Sequence, residues 1–364
     1  MPFDRGSVTL TIFELGSKLP EDYVAKFAAF AAGTLDSVTD ELQVGWVSGR
    51  HMLENTIDAS TVIQGDACMV TLRKAIRKIP ASLLGAMLRR EELIWQKAHE
   101  AQFVPGKVKR ELRDEILEKN LQKFPPSVSG IPIAIDPEAN LLYAATGSQT
   151  QIDELVGVFM RTLDVEPLQL TPQLILQRDF STALDDFPTL ELKKGVESYP
   201  MIGRDFLTYL WYFNECGGRI NHPDFGDFEI ALDGPLCFAG DDPECNGAAE
   251  TVVKKGENPL RSAEAKAAFA VGKKLKKAKL MVVLEEKIWT CSFDADRFVF
   301  GSLRLPEGEK LDADSVTAER MANLYEFKCA IEAAFKLFAT VMLGRDAERE
   351  MDKIRSWAMD REGV

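Results

Sequence analysis

Alternating apolar and polar positions predict β-strands in both halves of the chain. Residues 7–15, SVTLTIFEL, alternate with a period of two, as a strand with one buried face does. Residues 131–146, IPIAIDPEANLLYAAT, hold two apolar runs around a turn of Asp, Pro and Asn, which predicts a β-hairpin. Residues 228–240, FEIALDGPLCFAG, predict a second hairpin that turns at Asp233 and Gly234. Short strands joined by such turns indicate antiparallel sheets.

Apolar stripes with the helical period predict several helices. Residues 81–100 and 107–121 each carry one stripe, and VPG at 104–106 separates them, so we expect an antiparallel helical hairpin that projects from a sheet. Residues 203–218 predict a helix rich in aromatic side chains. Residues 313–343 predict a long helix near the end of the chain. Together with the strands, these helices predict an α+β fold.

The same pattern suggests how the chain is divided. We predict an N-terminal α+β region over residues 1–171 and a second α+β region over residues 172–345. Residues 262–279, SAEAKAAFAVGKKLKKAK, predict a strongly basic helix in the second region. Residues 346–364 are charged throughout and predict a solvated C-terminal tail.

Composition excludes some classes of protein and leaves others open. The 364 residues are 46% hydrophobic and 28% charged, the balance of a folded globular protein. No apolar run approaches the length of a membrane span, and the N-terminus does not resemble a secretory signal, so we expect a cytoplasmic protein without membrane contact. The six cysteines and three histidines lack zinc-site spacing, and no cofactor motif is present, so no metal or cofactor is predicted.

Three basic clusters stand out because the formal net charge of the chain is −13. The first follows the strand predicted at 66–72, the second begins the helix at 107–121, and the third lies in the predicted helix at 262–279. Their cations are Arg73, Lys74, Arg77 and Lys78; Lys107, Lys109, Arg110 and Arg113; and Lys266, Lys273, Lys274, Lys276, Lys277 and Lys279. Such arrays can bind phosphates without reading bases. A solvated face balanced by nearby acids is the alternative for each cluster.

Five segments follow one another along the chain in a recognisable order. They are VGWV (44–47), LRKAIRKIPASLL (72–84), KVKRELRDEIL (107–117), the hairpin at 131–146, and GKKLKKAKLMVVLEEKIWTCSFDADRFVFGSLRLP (272–306). Their order and spacing resemble the RdgC family of recombination-associated DNA-binding proteins. The resemblance covers residues from about 8 to 170 and from about 250 to 345. Residues from about 199 to 250 have no good counterpart in the shorter family members and predict an insertion.

The resemblance implies a function. Members of the RdgC family form a ring-shaped homodimer whose basic inner surface encircles duplex DNA with little sequence preference. By occupying DNA, they restrain strand exchange by a recombinase that competes for it. We therefore expect a homodimeric, nucleoid-associated duplex DNA-binding protein that is not an enzyme, and the three basic clusters are its candidate DNA contacts.

Two other functions remain open at this stage. The first is a metal-dependent exonuclease, for which residues 222–244 supply His222, Asp224, Asp227, Glu229, Asp233, Asp241, Asp242 and Glu244. Aspartates between strands are more often turn-forming residues. The second is a protein-interaction module that acts through the aromatic helix at 203–216, although a core helix is the simpler interpretation of its wide apolar face.

Overall fold

The computed structural model describes residues 3–193, 200–240, 248–254, 259–308 and 312–360. The described chain is α+β with large antiparallel pairing, as the alternating pattern predicted. Its strands are β1 (Val8–Leu15), β2 (Gln43–Ser48), β3 (Ile63–Gln64), β4 (Ala67–Ile76), β5 (Ser127–Asp136), β6 (Leu141–Ala144), β7 (Pro167–Gln169), β8 (Ile220–His222), β9 (Gly226–Ala239), β10 (Glu250–Val253), β11 (Lys274–Leu284), β12 (Lys287–Asp294) and β13 (Val299–Arg304). Its helices are α1 (Tyr23–Ala29), α2 (Ala59–Val62), α3 (Ala81–Ala98), α4 (Gly106–Asn120), α5 (Gln149–Leu163), α6 (Pro172–Ile175), α7 (Ile202–Glu215), α8 (Ala263–Ala270), α9 (Ala313–Met342) and α10 (Ala347–Asp360).

The chain forms two compact units that differ from the predicted division at residue 171. Unit 1 comprises Met1–Leu19, Gln64–Cys68 and Ala134–Val364, and unit 2 comprises Pro20–Ile63 and Met69–Ile133. Strand β1 joins the two predicted regions because it pairs antiparallel with both β6, from the first region, and β13, from the second. Pairing between strands far apart in sequence therefore sets the units.

In unit 1, aromatic side chains fill the space between the sheet and two helices. The strands run in the order β10-β9-β11-β12-β13-β1-β6. The ring of Phe206 on α7 lies 5.2 Å from Phe335 on α9 and 6.3 Å from Phe293 on β12. The ring of Phe300 on β13 lies 5.0 Å from Phe327 on α9. The long helix predicted at 313–343 is thus confirmed, with its aromatic stripe in the core.

In unit 2, a small core forms around β2 and β4. The ring of Trp46 lies 4.9 Å from Phe27, and both are fully buried. A Cβ atom on Gly45 would lie 2.7 Å from the Cα of Ala32. Only glycine at this position lets the backbone at Ala32 approach β2 so closely. The Ala32 amide donates a hydrogen bond to the Trp46 carbonyl at 2.8 Å. The helices α3 and α4 confirm the predicted hairpin.

The basic helix predicted at 262–279 is wrong beyond its first half. Helix α8 ends at Ala270, and Gly272 has a φ of +87°, in the left-handed region that ends helices and favours glycine. Strand β11 then begins at Lys274. Its alternate residues Leu280 and Val282 are fully buried, whereas the lysines before them had suggested a cationic helical face.

The hairpin predicted at 228–240 is also wrong, because β9 continues through Asp233 and Gly234. Strand β11 pairs with β9 on both sides of this point, and shifts in its register around Lys277 accommodate the irregularity. A long partner strand therefore outweighs the local turn preference of Asp-Gly.

The solvated tail predicted at 346–364 is replaced by a packed helix over the described residues. On α10, Met351, Ile354 and Ala358 are buried at helical spacing. The ring of Trp357 lies 5.6 Å from that of Trp211 on α7. This apolar stripe is narrow, and the charged residues around it make it difficult to recognise in the sequence. In the described part of the chain, no helix combines the length and apolar character needed to cross a membrane.

Candidate nucleic-acid interface

Arg73, in the first basic cluster, is directed into unit 2. Its side chain is 2% exposed, and its guanidinium donates hydrogen bonds to the carbonyls of Gly33 and, at 3.3 Å, Met52. Burial lowers the pKa of Arg73. This cation therefore holds loops of its own unit together.

Arg77 has the same structural role. Its Nε donates to the carbonyl of Val38 at 3.0 Å, and its Nη2 donates to Leu35 at 3.0 Å. Its Nη1 donates to the carbonyl of Phe124 at 2.6 Å, which ties the end of the helical hairpin to the loop before β2. The guanidinium thus links two backbone segments of unit 2, residues 35–38 and the end of the helical hairpin, to the end of β4.

The two lysines of the first cluster lie on the other side of the chain. Strand alternation places Arg73, Ala75 and Arg77 inward and Lys74 and Lys78 outward. Lys74 is half-buried and Lys78 is exposed. Among the residues that the structure describes, none forms an ion pair with Lys78.

Lys109, in the second cluster, connects the two helices of the hairpin. Its Nζ lies 3.0 Å from Oε1 of Glu92 on α3, and Arg89 approaches the other oxygen of Glu92 at 3.3 Å. Glu92 is only 8% exposed. The hydrogen bond from Lys109 lowers the pKa of Glu92, because it stabilises the carboxylate.

The other cations of the second cluster form an exposed row along α4, which we call the hairpin row: Lys107, Arg110 and Arg113. They follow one another at intervals of three residues, so they share one side of the helix and span about 9 Å along its axis. All three are exposed. Lys107 has one long ion pair, 3.9 Å from Glu111. Within the described ranges, Arg110 and Arg113 have no ion-pair partner.

The third cluster lies in unit 1 and is largely neutralised. Lys274 is fully buried, and its Nζ lies 2.6 Å from Oδ1 of the equally buried Asp205. Lys273 donates to the carbonyl of Ala248 at 2.6 Å and to the hydroxyl of Thr251 at 2.8 Å. These two lysines stabilise unit 1 and do not present a cationic face.

Two further lysines of the third cluster also meet carboxylates. The Nζ of Lys276 lies 2.7 Å from Glu250, and this hydrogen bond raises the pKa of Lys276. The Nζ of Lys277 lies 2.9 Å from Asp294. Lys266, on α8, is half-buried. The third cluster therefore does not form the broad cationic helix face that the sequence suggested.

The described residues among those considered for a nuclease do not converge on one point. The carboxylate of Asp227 accepts from the amide of Asn221 at 2.8 Å, and Glu229 pairs with Arg219 at 2.9 Å. Asp233 lies 3.8 Å from Lys279. Among the described residues, no three histidine, cysteine or acidic side chains are placed to hold a metal ion. The remaining candidates are His222, Asp224, Asp241, Asp242 and Glu244, the last three outside the described residues.

The aromatic helix considered as an interaction module belongs to the core. Phe206, Leu207, Leu210 and Trp211 on α7 are each at most 1% exposed. The ring of Phe206 packs against an aromatic residue of α9, and that of Trp211 packs against aromatic residues of α8 and α10. The wide apolar face that suggested a protein-interaction module is therefore buried in the core of unit 1.

The sequence did not predict that four apolar side chains of the helical hairpin would be exposed. Leu83, Leu93 and Ile94 on α3 are 38%, 44% and 54% exposed, and Phe103, in the loop before α4, is 82% exposed. Ile94 lies in the apolar stripe predicted over residues 81–100, so the sequence favours a buried position for it. A residue such as Phe103 beside VPG was visible as part of a loop, but nothing in the sequence showed how exposed it would be.

Cations clustered along a helix are an electrostatic feature that nucleic-acid-binding proteins share. Residues 10–184 match a protein-family model described as "Putative exonuclease, RdgC". Over these residues the match confirms the resemblance, and it supports an RdgC family assignment. At the level of the family, it supports a recombination-associated DNA-binding protein. No curated protein matches the chain.

Proposed function

We propose that the protein binds double-stranded DNA without sequence preference. The observation that carries this proposal is the hairpin row, in which Arg110 and Arg113 are exposed and, among the described residues, unpaired. Guanidinium groups bind phosphates through two parallel hydrogen bonds. Backbone phosphates recur regardless of base sequence, so a row of such groups favours affinity over base recognition.

The set of proposed contacts is narrower than the three basic clusters. Arg73, Arg77 and Lys274 are occupied inside their units and are omitted. Exposed or half-buried lysines of unit 2 are retained beside the hairpin row: Lys74, Lys78 and Lys109. Four lysines of unit 1 are secondary, because Lys273, Lys276 and Lys277 meet carboxylates or other acceptors and Lys266 is half-buried.

The proposal includes a homodimer that closes into a ring around DNA. The exposed apolar side chains of the hairpin support self-association, because a two-fold contact buries the same face of both copies. Leu83 and Ile94 are eleven residues apart on α3, which places them on one side of the helix. Such a dimer at the nucleoid would restrain recombinase-driven strand exchange by occupying the duplex.

Equilibrium binding to several unrelated duplexes tests the proposal. The variant Lys107→Gln, Arg110→Gln, Arg113→Gln removes the hairpin row. Its matched control, Arg345→Gln, Arg349→Gln, Lys353→Gln, removes the same charge from exposed positions at and beside α10. We expect the first variant to bind every duplex at least about tenfold more weakly and the control to bind nearly as the unmodified protein does.

Two results would contradict the proposal. Equal loss in both variants would mean that only net charge matters. Loss confined to one duplex would mean that the hairpin row reads bases.

A further inference from the structure

A polar cavity in unit 1 lies beside the start of α5 and has not been assigned a role. Its volume is about 490 Å³, and strands β1, β11, β12 and β13 contribute to its walls. The polar side chains that matter for its chemistry are Thr9, Ser148, Lys277, Ser292, Asp294 and Arg297. A cavity of this size accommodates a small polar ligand.

Two cations in the cavity share a single carboxylate oxygen. The Nζ of Lys277 lies 2.9 Å from Oδ2 of Asp294, and Nε and Nη2 of Arg297 lie 2.9 and 2.7 Å from the same atom. Lys277 and Arg297 are 40% and 45% exposed, so both remain accessible from the cavity. Two positive charges against one negative charge leave a local positive excess in an otherwise acidic protein.

The shared carboxylate is itself incompletely bonded. Asp294 is 7% exposed, and its Oδ1 has no hydrogen-bond partner among the described residues. A buried acceptor without a donor is unfavourable. Arg297 is fixed independently, because its Nη1 donates to the carbonyl of Gly147 at 2.9 Å.

The start of α5 adds backbone donors to the same wall. Ser148 is the residue before the helix, and its side chain makes no capping hydrogen bond. The first amides of this 15-residue helix therefore keep their donors for another acceptor. The positive end of the helix dipole favours an anion at this point.

We propose that this cavity binds a phosphate group through Lys277, Arg297 and the first amides of α5. The group belongs either to a free phosphorylated molecule or to a strand of DNA. The inference does not depend on duplex binding by the hairpin row, which lies in unit 2.

Calorimetric titration of the full chain with inorganic phosphate tests the site. We expect saturable binding that Lys277→Gln weakens about tenfold, because a charge-assisted hydrogen bond is lost. The matched control is Lys279→Gln, on the same strand, where the lysine is 48% exposed and lies outside the cavity. Absence of saturable binding, or equal weakening by both substitutions, would overturn the proposal.

A second variant separates loss of the site from loss of the fold. Ser148→Asp places a carboxylate where it can accept from the first amides of α5, and aspartate is a favoured residue at this position. We expect phosphate binding to weaken about tenfold while the thermal midpoint stays the same or rises. Unchanged phosphate affinity in a folded Ser148→Asp protein would contradict the assignment of these amides.

Competition distinguishes the two sources of the phosphate. Displacement of inorganic phosphate by a mononucleotide but not by duplex DNA would identify a free phosphorylated ligand. Displacement by duplex in the variant without the hairpin row would identify DNA. If neither competitor displaces phosphate, the site does not serve phosphorylated molecules and the proposal fails in both forms. Loss of duplex binding with phosphate binding retained would concern the hairpin row alone.

Discussion

At the scale of single residues, the direction of a side chain decides whether a cation can meet DNA. Arg73 and Arg77 have the same charge as the arginines of the hairpin row, but their guanidinium groups bind backbone carbonyls. The strand period gave a usable signal, because residues 73, 75 and 77 share one face and Ala75 is buried between the arginines. Which face would be buried depended on loops from elsewhere in the chain, so residue type alone could not show it.

Replacement of Arg77 by methionine should therefore destabilise the protein rather than specifically weaken DNA binding. The substitution leaves the buried carbonyl of Val38 without its side-chain donor and removes one of the two donors to the carbonyl of Leu35. We expect a loss of about 3 kcal/mol in the free energy of unfolding, measured with urea. The control Lys78→Met, at an exposed position, should change this free energy by less than about 0.5 kcal/mol. Unchanged stability in Arg77→Met would contradict the structural role.

At the scale of elements, local periodicity predicted the strands and helices whose apolar pattern lies within their own segment of sequence. The strand at 7–15, the hairpin at 131–146 and the helices α3, α4 and α9 were predicted because each carries its own apolar pattern. The continuous strand β9 was not, because its pairing with β11 overrides a local turn signal.

The packing of the hairpin should depend on pH through Glu92. Its pKa is lowered in the folded state, so its contribution is complete above the pKa of the unfolded chain and is lost as the pH falls through the folded pKa. We expect Glu92→Gln to lower the free energy of unfolding by about 1 kcal/mol at neutral pH. Urea titrations across pH should show this difference shrinking in acid. If the stability difference between the unmodified protein and Glu92→Gln grew as the pH fell, it would contradict a lowered pKa of Glu92 in the folded state.

The C-terminal helix should contribute to stability although its sequence is highly charged. Ile354 on α10 is fully buried. Replacement by alanine should lower the free energy of unfolding by about 3 kcal/mol, because it leaves a cavity in unit 1. Ser356→Ala, at an exposed position of the same helix, is the control for helix propensity. If Ile354→Ala unfolds at the same urea concentration as the unmodified protein, the residues after 346 are solvated, as the sequence had suggested.

At the scale of the whole molecule, the net charge of the chain does not describe the charge of each part of its surface. The formal charge of −13 keeps most of the exterior unfavourable for DNA, and the hairpin row provides a local exception. The family could be inferred from the order of five segments, which the match over residues 10–184 supports. The division into units could not, because it depends on β1 pairing with strands from both halves of the chain.

A closed ring should distinguish circular from linear duplex. After assembly at low salt and a shift to high salt, we expect the protein to stay on a relaxed circle and to leave a linear duplex of the same sequence through its ends. The variant Leu83→Gln, Ile94→Gln, which removes exposed apolar side chains of α3, should sediment as a monomer and lose this difference. Equal release from circle and line by the unmodified protein would argue for a surface binder without closure.

The salt dependence of duplex binding tests the central claim most directly. The logarithm of the affinity should fall linearly with the logarithm of the salt concentration, by about 0.9 for each phosphate contact. For Lys107→Gln, Arg110→Gln, Arg113→Gln, we predict a slope shallower by up to about 2.7, the same for every duplex sequence. An unchanged slope in this variant would show that the hairpin row does not contact DNA phosphates, and would contradict the account.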